Sequence, residues 1–180
     1  MLRIKKKQAH ISQQFGFTMV ELLVVMFVIS LLAALSLAGY HNGQKRYVLS
    51  QDSQRLMASL RKAQNMSMSG IDISGQYYGY GIYAEKDNTS YIIYADENNN
   101  SSFQPSDTTI ETISLSDKIE IESVSPLPNK VDIFFSPPNP TTYINGSAAV
   151  GVSGTITLGI EDTSLTKIIT ITTAGLIQRN

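Results

Sequence analysis

The sequence predicts an α+β protein: a long N-terminal helix followed by an antiparallel β-rich region, folded as two sheets. Three observations carry this reading. Residues 17–37 form a nearly unbroken apolar run. Residues 44–69 place apolar and small side chains at spacings of three, four and seven, the period of an amphipathic helix. Beyond Gly70 the pattern changes to short runs rich in Tyr, Ile and Thr separated by turn residues.

The apolar run is long enough to cross a bilayer. At ~1.5 Å per residue it spans about 32 Å as a helix. Arg3, Lys5, Lys6 and Lys7 precede it, so the N-terminus is expected on the cytoplasmic side. Glu21 stands near the mouth of the run. A carboxylate within a membrane segment costs about 2.5–3.5 kcal/mol on insertion scales, so one that is kept calls for a partner. A plain signal anchor is one alternative. A cleaved secretory signal is another, since Ser36-Leu37-Ala38 offers small residues at signal-peptidase spacing. Against the latter, the run exceeds the usual ~7–15 apolar residues of such signals and encloses Glu21.

The amphipathic segment follows. Leu49, Ser53, Leu56, Leu60, Ala63 and Ser67 form the stripe, while Arg46, Arg55, Arg61 and Lys62 fall mostly off it. Asp52 and Arg55 can pair at i, i+3. Gly70 is a stop signal. Any bend in the helix is expected near Gly39 to Gly43. The predicted strands are 76–84, 90–95, 108–115, 118–124, 130–135, 148–160 and 166–173, with a last piece at 176–178. The first two form a hairpin about a turn at 85–89. Pro137, Pro138 and Pro140 break the chain before Tyr143. The expected organisation is a leader at 1–16, a membrane helix at 17–38, its amphipathic continuation at 39–70 and a β domain at 71–180.

Composition narrows the chemistry. The chain has 180 residues, no cysteine and two histidines, His10 and His41, both outside the β region. Disulfides, thiolate sites, Ser-His-Asp or Cys-His catalysis and His-rich metal sites are therefore excluded from that region. Thirteen acids beyond residue 70 leave only carboxylate-pair chemistry formally open, and no enzyme is expected. The near-neutral total, −1, hides an asymmetry: residues 1–70 carry +7 and residues 71–180 carry −8. An acidic outer domain repels nucleic acid, so none is expected as a partner.

The stretch Gly16-Phe17-Thr18-Met19-Val20-Glu21-Leu22, behind its basic leader, resembles the N-terminal signature of type IV pilins and pseudopilins, with Met19 where Leu is usual. The resemblance implies cleavage after Gly16 by a prepilin peptidase and N-methylation of the new terminus at Phe17. It also implies that Glu21 pairs with the terminal amine of a neighbouring subunit, setting register in a filament. Partners would be other pilins or pseudopilins and the processing enzyme, with the inner membrane as site. Further on, residues 131–137 with Phe135-Ser136-Pro137, the Gly154-led strand, Ile169-Thr170-Ile171 and Gly175-Leu176-Ile177 look like the GspH/FimT family of minor pseudopilins and minor pilins. Leu176 stands where that family tends to have Arg. Some relatives bind DNA through a basic tail; here the tail offers only Arg179.

Two local clusters remain. Asp96, Asn98, Asn100 and Asp107 match positions 1, 3, 5 and 12 of a calcium loop, as a weak Ca²⁺ site. Position 6 is Ser101 rather than Gly, and the flanks read as strands, so an Asn-rich surface loop is the competing reading. Otherwise no cofactor is expected. Six tyrosines lie within 77–94. Alternation puts Tyr78 and Tyr80 with Ile82 on one face and Tyr77 and Tyr83 on the other. They are expected to pack across strands, or else to present an aromatic face to a partner.

Overall fold

The computed structural model describes residues 16–70, 78–137, 141–161 and 163–180, the side chains of 37–42 excepted. It divides into two units, Met1–Asn42 and Gly43–Asn180. Helix α1, Met19–Ser69, contributes to both. Residues 39–43, where any bend was expected, are helical in backbone, within the single element α1. Most of the leader, Tyr77, Pro138 and Pro140 lie outside the described residues.

In the first unit α1 presents apolar side chains all round. Met19–Ser36 has a mean hydropathy of 2.5 and none of it is buried within the protein. Its two hydroxyls are satisfied locally: Ser30 Oγ donates to Met26 O at 2.7 Å and Ser36 Oγ to Leu32 O at 2.9 Å. Apart from Glu21, a helix whose side-chain hydroxyls bond back to its own carbonyls suits a hydrocarbon environment.

In the second unit α1 packs as its periodicity predicts. All six stripe residues, Leu49, Ser53, Leu56, Leu60, Ala63 and Ser67, are buried. The helix ends where glycine takes a left-handed conformation, Gly70 having φ 64°. Nine strands follow: β1 Tyr80–Glu85, β2 Ser90–Ala95, β3 Thr108–Ser114, β4 Ile119–Ser125, β5 Lys130–Ser136, β6 Thr141–Ile144, β7 Ser153–Ile160, β8 Thr166–Thr172 and β9 Ile177–Arg179. They make two antiparallel sheets, one of five strands in the order β3-β2-β1-β5-β6 and one of four in the order β4-β7-β8-β9.

Strand alternation decides what each face holds. On the five-stranded sheet, Tyr80, Ile82 and Ala84 pair with Phe135, Ile133 and Val131 and face the core. Gly81 and Tyr83 pair with Phe134 and Asp132 on the opposite face. Ile121, Ile156, Leu158, Ile169 and Ile171 of the four-stranded sheet join the same core, with Leu56 and Leu60 of the helix. The sheets also meet by backbone. Asp87 N donates to Ile121 O at 2.8 Å and Ile121 N to Asn88 O at 2.9 Å, so the β1–β2 turn occupies the open edge of β4.

Small polar residues on the helix tie it to the strands. Ser67 Oγ donates to Phe135 O at 2.7 Å and accepts from Tyr80 N–H at 3.1 Å, joining β5 and β1 where they pair. Ser59 Oγ lies 3.0 Å from the Tyr91 hydroxyl, whose pKa burial pushes up to about 12.

The expected Asp52–Arg55 pair is not made. Asp52 is buried and accepts from Ser116 N–H at 2.7 Å and Ser116 Oγ at 3.2 Å, while Arg55 Nη1 donates to Ser114 O at 3.3 Å. Local spacing allowed the pair; the β3–β4 turn supplied better partners for both. Asp52→Ala is expected to lower stability by about 1–3 kcal/mol, because it removes the acceptor of the part-buried Ser116 N–H. The check is the denaturation midpoint, and an unchanged midpoint would show that Ser116 is satisfied without the carboxylate.

β6 was not expected, and β7 begins later than 148. The chain between them turns at Asn145 and Gly146, with φ 48° and 76°, and again at Gly151, with φ 87°. Those left-handed positions end pairing where composition alone read as extended.

Candidate processing and assembly site

Gly16 and Phe17 lie ahead of the helix. A side chain built at Gly16 would meet nothing within 4 Å, and Phe17 is 79 % exposed. The junction between them is thus unencumbered by described residues. Thr18 caps the helix: its Oγ1 accepts the Glu21 backbone N–H at 3.2 Å, and its carbonyl accepts Leu22 N–H at 3.2 Å. Thr18-Met19-Val20-Glu21 is the spacing of a capping box, in which the glutamate would reach back to the cap's own N–H. Only the threonine half is made. The Glu21 carboxylate has no hydrogen bond or ion pair to any described residue. Its place in the first turn is favoured by the helix dipole, which leaves the charge available to a group from outside.

Thr18 is the site residue that sequence reasoning missed. The Thr-x-x-Glu spacing was the available signal.

The comparisons with known proteins bear on this same segment. The prokaryotic N-terminal methylation motif matches residues 11–37. The chain carries a type IV pilin-like N-terminal signal. The signal takes in Gly16, Phe17 and Glu21, and the first turn in which Thr18 holds Glu21 by its backbone. It extends through the apolar helix to Leu37. No curated protein and no solved structure matches the chain significantly.

The second expected site lies far along the chain from the signal. In loop 96–107, Asp96 Oδ1 accepts Asn98 N–H at 3.0 Å and Asn99 N–H at 2.8 Å, and its Oδ2 accepts Ser101 N–H at 2.8 Å. Asp107 Oδ2 accepts Gln104 N–H at 2.7 Å, and Oδ1 lies 3.3 Å from its donor Asn98 Nδ2. Asn100 Oδ1 accepts Ser102 N–H at 2.9 Å, and Glu97 accepts the Thr108 hydroxyl. Asp96, Asn98 and Asp107 are thus brought together, with Asn100 turned to its own segment. Each oxygen is occupied in holding the loop, and burial pushes the Asp107 carboxyl above its ordinary range. Calorimetry of the protein with Ca²⁺ is the check on this loop. No heat is expected at millimolar ion; saturable heat abolished by Asp96→Asn would establish the site.

The tyrosine cluster splits as alternation predicts for Tyr80 and Tyr83. Tyr80 enters the core and Tyr91 meets the helix. On the outer face the Tyr94 ring lies across Gly81, where a Cβ would come within 2.5 Å of it. Phe103 packs at 4.5 Å from Tyr83 and 5.1 Å from Tyr94, measured between ring centroids. Beneath them Asp132 is buried, its carboxyl pushed up by desolvation.

Proposed function

We propose that the protein is a minor pseudopilin, a structural subunit of a type II secretion system pseudopilus. It is made as a precursor in the inner membrane, with residues 1–16 in the cytoplasm and the β domain outside. Prepilin peptidase removes the leader after Gly16, and Phe17 becomes the methylated terminus. The subunit then assembles through its N-terminal helix, Glu21 accepting the amine of a neighbour. The observation that carries the reading is the matched segment at 11–37, within which the Glu21 carboxylate is free of described partners. In a low-dielectric surrounding such a charge is stabilised by an opposite charge brought to it.

A minor pilin of a type IV pilus, serving DNA uptake, adhesion or motility, would carry the same signal. The resemblance of 131–137, 154–158, 167–171 and 175–177 to the GspH/FimT pattern supports a minor subunit of either machine. The acidic outer domain argues against DNA uptake. The role is assembly, not catalysis.

The test is the mass and N-terminal sequence of the protein from its native membranes. A chain beginning at N-methylated Phe17 is expected. A chain beginning at Gly39, or an intact Met1, would overturn the reading.

A further inference from the structure

The two margins of the four-stranded sheet carry opposite charge. β4 forms one edge of that sheet and β9 the other.

β9 lies along one side of α1. Arg179 Nη1 donates to Ser50 O and Ser50 Oγ, both at 3.4 Å, and to Ser53 Oγ at 3.3 Å. Gln64 Nε2 donates to the carbonyl of Gly175, ahead of β9, at 3.4 Å. Arg46, Ser50, Met57, Arg61, Gln64 and Met68 follow one another at steps of three, four or seven, so they share this side of the helix. The margin is therefore lined by Arg46, Arg61 and Arg179, all exposed. None of them is in an ion pair among the described residues. The one acidic side chain between Gly43 and Ser69 is Asp52, which is buried, and β9 has none. Met68 and Leu176, 53 % and 52 % exposed, add apolar surface.

The β4 margin is acidic. Glu120 and Glu122 flank the core residue Ile121. The register shifts between Ile121 and Ser123, so Glu122 is the extra residue of a bulge. Gly159 leaves room for its carboxylate: a Cβ there would come within 2.5 Å of Glu122 Oε2. Asp87, whose N–H donates to Ile121 O, and Glu161, whose N–H donates to Lys118 O, extend the margin, with Asp117 just ahead of the strand. Lys86 and Lys118 are the cations there, and Lys86 already lies 3.6 Å from Asp87. Asp117, Glu120, Glu122 and Glu161 are in no ion pair among the described residues.

Two uncompensated margins of opposite sign suit one another. They lie on opposite edges of one sheet, about 14 Å apart at three strand spacings, so they meet only between molecules. A contact that joins two different faces leaves one of each free and can propagate. A polyanion suits the arginines less well. Arg46 and Arg61 stand about 22 Å apart along the helix, too sparse to neutralise a run of phosphates.

We propose that copies of this chain associate head to tail through their β-bearing units, the Arg46, Arg61 and Arg179 margin of one against the Glu120 and Glu122 margin of the next. The contact adds a lateral surface to the assembly proposed above and rests on that reading only for a neighbour; it uses neither Gly16 nor Glu21.

The test is sedimentation of the full-length protein in non-ionic detergent. A concentration-dependent series of species beyond a dimer is expected at about 10 mM salt. It should be lost at about 1 M, as the screening length falls from ~30 Å to ~3 Å. Arg46→Glu with Arg61→Glu, or Glu120→Lys with Glu122→Lys, is expected to weaken association at least about tenfold, and an equimolar mixture of the two variants to restore it. Should the β4 variant not fold, Asp117→Lys with Glu161→Lys on the exposed end of the same margin is expected to act in the same way. The uncleaved Gly16→Asp chain should associate as the wild type does, so a failure of this contact is distinguishable from a failure of the processing account. Association that ignores salt or the charge reversals, a mixture that is not rescued, a closed dimer, loss of association in the uncleaved chain, or retention on heparin without self-association would each overturn the proposal.

Discussion

Glu21→Val is expected to reach the membrane and be processed normally, yet to fall at least about tenfold in filament incorporation. The substitution is informative because it removes only the carboxylate. The Thr18 cap binds the backbone N–H of residue 21, which valine retains, so the helix start is preserved. Valine also relieves the ~2.5–3.5 kcal/mol that a carboxylate costs within a membrane helix. The single subunit should therefore be at least as well inserted as before, and any loss must come from the missing partner for a neighbour's amine. Quantifying the variant in sheared filaments and in membranes separates the two steps. Incorporation at the normal level would remove Glu21 from the assembly account. Gly16→Asp acts one step earlier: an uncleaved chain of full mass is expected, because charge and bulk are placed at the scissile junction.

Leu60→Ala is expected to destabilise the β-bearing unit by about 2–5 kcal/mol. Domains of this kind have a total stability of only ~5–15 kcal/mol. Leu60 is fully buried at the centre of the helical stripe, within the core shared by the two sheets. Alanine is the better helix former, so the helix itself would gain and the loss would report packing alone. Thermal unfolding of the protein in detergent, followed by tyrosine fluorescence, is the measurement. Arg61→Ala, one residue on but exposed, should change stability by no more than about 0.5 kcal/mol. Similar midpoints for the two variants would mean that the stripe does not anchor the helix to the sheets.

How far the sequence reached depended on whether the signal was local. The hairpin of β1 and β2 was legible because its alternation and polar turn lie within sixteen residues of chain. The helix stripe was legible because period 3.6 places its six members on one side whatever they pack against. β6 was not legible: four residues after a proline-rich stretch become a strand only because Phe135 and Ile133 offer Thr142 and Ile144 a register. Asp52 was misassigned for the same reason, since its true partner lies 64 residues away. At the candidate sites, Gly16, Phe17 and Glu21 could be named from spacing, and Thr18 could have been. Asp132 and Asn145 could not. Asp132 carries no signal of its own within segment 131–137, and a left-handed turn is what sets the Asn145 amide against the backbone of Asp132.

By itself the sequence determined the α+β class, the membrane-length helix, the pilin-like signal and the face of the helix that would be buried. Each follows from periodicity, length or adjacent residue types, which are properties of short stretches of chain. Only the tertiary structure decided which strands share a sheet, which carboxylates are buried and which polar groups find their partners far along the chain. Those outcomes depend on contacts between residues far apart in sequence, where desolvation and the competition for hydrogen-bond partners outweigh local preference.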